Sequence, residues 1–352
     1  MSATSIDSIS EFLLTAGTEY RVFDMGRGIY PVPAQTFLEI ENAASLPPHP
    51  RQQHAWYGLV FWNKQSSSQH YIWFIKLPLD EQGLVVSAAR NHFLQIIVDA
   101  LGSMLQPGEE DADHKRELPD NPYSFVPPQG QLAQFNALVR KHLGQPQVQG
   151  VSDVVAYIKA PALHQWETLP VQAIHDVAVR LDEDNAVTMS VVTNFGHFAP
   201  DFQNALMTAS ENTTLPDALC ALYLNKLDDP LTVSLDALRG LTSRAASASL
   251  RHALGQLLSR PDALSLDTLS VIAGRHFVQF DDALTLQFLE CTARADADLG
   301  YNGALFAGLF SDLVQIPALR AMVLATLRSP DRSQTLAAAI GKLFSATTGS
   351  TS

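Results

Sequence analysis

The sequence predicts an α+β N-terminal domain followed by an all-α helical-hairpin repeat array, an α-solenoid of the HEAT-like kind. Three observations predict it. Composition shifts along the chain: residues 1–130 hold eleven of the twenty prolines and three of the four tryptophans. Residues 211–352 hold five prolines and no tryptophan, with 28 Leu and 22 Ala, both strong helix formers. Two neighbouring runs of aromatic and β-branched residues, at 54–63 and 70–77, read as paired strands. In the C-terminal half Pro200, Pro230 and Pro261 stand 30 and 31 residues apart, and Pro330 stands 69 beyond Pro261. A loose period of about 30 residues is the mark of stacked helical hairpins, which bury their apolar stripes only against their neighbours.

The elements follow in order. Ile6, Ile9, Phe12, Leu13 and Ala16 fall at helical spacing, with Ser5 or Asp7 as cap and Gly17 as stop. Tyr20-Arg-Val-Phe-Asp-Met25 alternates loosely as a strand, and Gly26-Arg-Gly28 punctuates it. Residues 34–44 fit a short helix or a strand. The aromatic runs then form a hairpin across the six polar residues 64–69, with apolar side chains on both faces. Trp56, Trp62, Phe61, Trp73, Phe74 and Ile75 are expected between this sheet and a helix over 84–101. Pro78 closes the second strand, and Asp80 with Glu81 stands where a helix N-cap belongs.

Three domains are expected: the α+β domain at 1–105, a Pro-rich acidic linker at 106–130, and the helical repeat domain at 131–352. The linker carries Glu109-Glu-Asp-Ala-Asp113 and five prolines. Its rival is an ordered strap held by Tyr123, Phe125 and Val126. Beyond it a helix at 131–143 is followed by starts near Ser152, Val171, Asn185, Asp201, Leu215, Ser234, Ser247, Ser265, Asp281, Asn302, Ile316 and Asp331.

Charge and cysteine usage narrow the function. Lys and Arg number 23 and Asp and Glu 36, for a net charge of −13. Such a field repels phosphate backbones and anionic lipid, so neither nucleic acid nor membrane is an expected partner. Cys220 and Cys291 are too few for a disulfide scaffold and too far apart for a local zinc site. They read as buried thiols of a cytoplasmic protein. The N-terminus shows no basic, apolar leader, and no stretch reaches the ~18 apolar residues of a membrane span.

Motifs that carry chemistry are scarce. Gly26-Arg-Gly28 is followed by Pro31 where a dinucleotide fingerprint needs its third glycine. No histidine pairs with another at helical spacing, so neither metal nor cofactor is expected. Residues 294–300 carry alternating acids like a calcium loop, but Tyr301 replaces the turn glycine and the closing acid is missing, so a helix-joining turn is the better reading. The acid pairs Asp80-Glu81, Asp228-Asp229 and Asp281-Asp282 each precede an expected helix and read as caps.

The text Gln53-His-Ala-Trp-Tyr-Gly-Leu-Val-Phe-Trp-Asn63, then Gln69-His-Tyr-Ile-Trp-Phe-Ile-Lys-Leu-Pro-Leu-Asp-Glu-Gln-Gly83, resembles a bacterial family classified as a domain of unknown function. Tyr20-Arg-Val-Phe-Asp-Met-Gly-Arg27 fits it too. The resemblance runs over most of the chain. It implies a bacterial cytosolic protein with an α+β head and helical tail, and it implies no catalytic residue.

The expected function is that of a non-catalytic protein-binding or scaffold protein, with a basic protein or peptide as partner. That partner is met along the groove of the array or at an edge of the aromatic sheet. The alternative is an enzyme of unrecognised type with a site where head and array join. Its candidates are His54, His70, Asp80 and Glu81, which flank the hairpin ends. A deep pocket uniting two of these side chains favours the enzyme, and a long open groove without convergent polar groups favours the scaffold.

Overall fold

The computed structural model describes residues 8–63, 70–104, 120–242 and 245–349. The chain divides into two units, Met1–Pro127 and Pro128–Ser352. The first holds an antiparallel four-stranded sheet and three helices; the second is built of helices.

In the first unit α1 (Ile9–Thr15) leads into β1 (Thr18–Asp24), β2 (Tyr30–Val32), α2 (Ala34–Glu41), β3 (His54–Asn63), β4 (Tyr71–Pro78) and α3 (Ser87–Met104). The strand order is β2-β1-β3-β4. Ser8, rather than Ser5 or Asp7, caps α1, accepting from the Glu11 N–H at 3.0 Å. Gly17, at φ +72°, lets the chain turn out of the helix. The ambiguous 34–44 stretch is helical over Ala34–Glu41, directly after Pro33. The hairpin loop at 64–69 lies outside the described residues.

The expected helix beginning at Asp80 is overturned. The Asp80 carboxylate accepts the N–H groups of Gln82 and Leu84, each at 2.9 Å, and closes a turn instead of a helix. Gly83 has φ +87°, and Val85 bridges back to Leu79. A short acid side chain that bonds its own backbone competes with helix, and here it delays α3 to Ser87.

Strand alternation also corrects the expected core. Register pairs Leu59 with Trp73 and Tyr57 with Ile75, and Tyr20 with Phe61, so these share the face of Phe12, Phe37 and Phe93. Trp73 meets Phe93 edge-on at 6.3 Å. Trp56, Trp62 and Phe74 point to the other face, away from α3. Trp56 and Ile75 are buried, whereas Phe61, Trp62, Trp73 and Phe74 are half-buried.

The 106–130 linker lies largely outside the described residues. Its end is built into structure. Tyr123–Phe125 runs along the outer edge of β4: Lys76 N–H donates to Tyr123 O at 2.7 Å and Phe125 N–H to Phe74 O at 3.1 Å. Phe125 packs edge-on against Trp56 at 4.8 Å.

The second unit runs α4 (Gln129–His142), α5 (Val151–Lys159), α6 (Val171–Ala178), α7 (Asn185–Asn194), α8 (Pro200–Ala209), α9 (Asp217–Lys226), α10 (Leu231–Gly240), α11 (Ala248–Ser259), α12 (Leu266–Arg275), α13 (Asp282–Asp298), α14 (Ala304–Gln315), α15 (Arg320–Thr326) and α16 (Gln334–Gly349). The even-numbered helices α4 to α14 touch in series, as do α5, α7 and α9, and then α11 and α13. One continuous apolar core lies among them, from Val151 to Ile340.

The rhyming prolines do different work. Pro200 is the first residue of α8, Pro230 stands just before α10, and Pro261 opens a short 3₁₀ turn before α12. Asp281 caps α13 through the Leu284 N–H at 2.9 Å, as expected. Asp229 instead pairs with Lys226 at 2.9 Å, while Pro230 precedes α10 with no side-chain cap. The acid alternation near 296 belongs to the end of α13. Asp296 accepts from Gly303 N–H at 2.6 Å and Phe306 N–H at 3.0 Å, fastening the start of α14.

Candidate functional site

The four sequence candidates do not form one site. His54 opens β3 opposite Pro78, with its Nδ1 at 2.7 Å from the Gln52 carbonyl. Asp80 and Glu81 follow β4 at that same end. Asp80 is committed to the turn it closes, and Glu81 stands exposed within that turn. His70 precedes β4 at the other end of the ladder, roughly 25 Å away at ~3.4 Å per strand residue. An antiparallel hairpin places the start of one strand beside the end of the next, so proximity to a strand end in sequence says nothing of which end in space.

A buried polar cluster does occur in the first unit, among residues that sequence reasoning passed over. Asp24, at the end of β1, is buried and accepts from the Gly26 N–H at 2.8 Å. Its other oxygen meets His49 Nδ1 at 3.2 Å. Arg27 is 1% exposed and donates from Nε to Pro50 O at 2.9 Å. Gly26 runs so close to the His49 carbonyl that a Cβ would stand 1.9 Å from it. The Tyr30 ring lies tilted against His49 at 4.7 Å. Together these bonds tie the 42–53 loop to the end of β1. The Tyr57 hydroxyl is buried without a hydrogen-bond partner, and burial together with the Asp24 and Glu41 charges pushes its ionisation well up. The signal in the sequence was the glycine pair around Arg27; Asp24's partner His49 is 25 positions away in an irregular loop.

The sheet face that carries Trp56 brings three cations against its rings. Arg51 lies 4.3 Å over the Trp56 ring, Lys76 is 5.6 Å from the same ring, and Arg21 is 5.4 Å from Trp62. Trp56 Nε1 donates to Arg51 O at 2.8 Å. Rings and cations attract here through the ring quadrupole. Tyr123–Phe125 bridges to the β4 edge, so part of that edge is already paired.

In the second unit an open groove of about 500 Å³ lies between α11 and α13. Its walls carry Arg251, His252, Gln256, Ser259, Asp281 and Gln287 over an apolar floor that includes Leu284. Gln287 donates to Gly255 O at 2.8 Å and to Ser259 Oγ at 3.2 Å. Arg251 pairs with Asp281 at 3.1 Å. The groove presents amides, a hydroxyl, the His252 imidazole and one ion pair, and Asp281, the acid in its lining, is paired with Arg251 rather than with that imidazole. Cys220 and Cys291 are free thiols, and burial pushes the Cys291 thiol up, away from a reactive thiolate. Among the described residues no group of His, Cys, Asp and Glu is placed to hold a metal ion, and no helix is long and apolar enough to cross a membrane.

The family described as "Protein of unknown function (DUF3549)" matches residues 4–344. No curated protein and no solved structure matches the chain.

Proposed function

The chain belongs to the DUF3549 family, whose function is unknown, and from its own geometry we propose a protein-binding or scaffolding role in the bacterial cytoplasm. The helical array is read as a HEAT-like α-solenoid. Helices alternating between rows, most of them touching their second neighbour, support that reading. The observation that carries the proposal is the open, amide-lined groove between α11 and α13. Gln256 offers a donor and an acceptor to an extended backbone, Gln287, whose NH2 group is bonded to Gly255 O and Ser259 Oγ, adds an acceptor oxygen, and the Leu284 floor takes an apolar side chain. The net charge of −13 favours a basic partner surface, with charge acting mainly on encounter rate.

The test is capture of partners from the native host followed by mass spectrometry, run in parallel with Ala283→Trp. Ala283 is exposed on the groove wall, so the indole fills the groove without entering the core. The wild-type chain is expected to capture a partner that the variant loses, with association slowing as salt rises. Equal capture by both removes the groove from the account.

A further inference from the structure

We propose that the pocket between α6 and α8 is a binding site for a neutral, hydroxyl-bearing apolar group about the size of a phenol ring. The pocket is distinct from the α11–α13 groove and does not depend on it. It encloses about 270 Å³ and is lined by Val171, Ile174 and His175 of α6 and by Asn204, Ala205 and Thr208 of α8. That volume admits a single ring and little more.

Two independent features mark it as more than a packing gap. Val171 is 59% exposed at its rim, a large apolar side chain left in water at the first position of α6. His175, in its wall, is 6% exposed, yet its Nδ1 is buried without any hydrogen-bond partner. Buried ring nitrogens are normally paired, so an imidazole left unpaired in a pocket wall sets this lining apart from ordinary packing.

The lining sets the chemistry of the occupant. No cationic side chain lines the pocket to hold an anion. Thr208 already donates its hydroxyl to Asp236 at 3.2 Å, which leaves its oxygen as an acceptor and places a carboxylate one bond behind the wall. An anionic ligand would face that carboxylate. Burial pushes His175 down to about 4, so near neutral pH the ring is an uncharged imidazole. A neutral imidazole has one donor nitrogen and one acceptor nitrogen, and Asn204 likewise offers both. A hydroxyl is the small neutral group that matches either tautomer, because it donates and accepts through one atom. Val171, Ile174 and Ala205 enclose the apolar body.

The experiment follows the histidine ring signals of the full-length protein by NMR while p-cresol or toluene is added. The His175 signals are identified by their loss in His175→Gln. p-Cresol is expected to shift them saturably, and to bind roughly tenfold more tightly than toluene, the value of one net hydrogen bond of about 1.4 kcal/mol. Ala205→Phe fills the pocket and is expected to abolish the shift. Val171→Lys, at an exposed rim position that does not threaten folding, is expected to weaken p-cresol binding several-fold. No saturable shift, a shift that persists in folded Ala205→Phe, or an affinity unchanged by Val171→Lys would overturn the site. Equal affinity for toluene and p-cresol would overturn the hydroxyl as the recognised group.

Discussion

The two units solve the burial problem by different means. The first sets charged side chains into its interior and uses them to hold distant pieces of backbone. Glu41, at the end of α2, is fully buried and accepts the Ile9 and Ser10 N–H groups at 2.7 and 3.1 Å, fastening the start of α1. Arg90 of α3 donates to the Glu41 carbonyl at 3.0 Å. Arg27 does the same for the 42–53 loop through the Pro50 carbonyl, and Asp24 holds that loop through the His49 ring. The second unit relies on helix rows packed through Leu, Phe and Val, with buried imidazoles held neutral. A small sheet with short helices has little apolar surface per residue, so charge-assisted bonds to backbone fix its loops. A long helical stack fixes its elements chiefly by repetition of packing, with a few polar groups that also reach between elements. Asp176 illustrates them. It bonds Arg180 one turn away and accepts the Val148 N–H at 2.9 Å from the loop before α5.

The sharpest way to break this contrast is at glycine. Gly26→Ala places a Cβ against the His49 carbonyl, where backbone must move, and dislodges the loop from β1. A loss of about 3 kcal/mol or more is expected by chemical denaturation. A near-neutral result would show that the clamp is slack.

Acid pH separates the units next. Burial holds His276, which bonds the Leu238 carbonyl at 2.8 Å, and His175 near 4, below their ordinary 6.5. Between those values the unfolded chain binds more protons than the folded one. The second unit therefore keeps this stability above pH 6.5 and loses it as pH falls from 6.5 toward 4, by about 3 kcal/mol per histidine. His276→Gln should flatten part of that slope in denaturation curves taken across this window. An unchanged slope means the imidazole is not the titrating group.

Glu41 acts with the opposite sign. Burial is the dominant cause that raises its carboxyl above the ordinary 4.5, outweighing the N–H bonds from Ser10 and Ile9 that favour the charged form. Here the folded state binds the extra proton, so its contribution is complete below pH 4.5 and declines as pH rises through the raised value. Hydrogen exchange read by region should show the α1–α2 amides losing protection as pH rises above 4.5, after correction for the intrinsic exchange rate, and Glu41→Gln should remove that trend. Amides of α12 should move the other way over pH 4–6.5.

The smallest effect expected is a gain. Gly274 lies within α12 with nothing near the position of an added Cβ. Gly274→Ala should stabilise the second unit by about 0.5–1 kcal/mol in thermal unfolding. A loss there would mean that the row packs more tightly than its geometry states.

How much of this was legible in the sequence follows the same division. Second-unit helix starts at Val171, Asn185 and Asp281 were readable because caps, prolines and apolar stripes are local signals. The hairpin was readable because aromatic and β-branched residues crowd two short runs. What escaped needs knowledge of register or of distant contact. The sharing of aromatics between two faces follows from which residue opposes which, and Leu59 opposing Trp73 is not written in either strand alone. The turn at Asp80 won over a helix through two side-chain bonds that no periodicity encodes. The Asp24–His49 pair spans a loop without pattern, and His175 reads in sequence as one more polar residue on an apolar helix. Its unpaired nitrogen exists only once the rows are packed.

Site-directed photo-crosslinking in the native host tests the central claim most directly, with the crosslinking residue placed at Gln256 in the α11–α13 groove or at Trp62 on the sheet. The groove position is expected to capture one discrete protein, reproducibly and in a manner lost with Ala283→Trp, while the sheet position does not. Capture at Trp62 alone, or none at Gln256, would contradict binding through the helical groove.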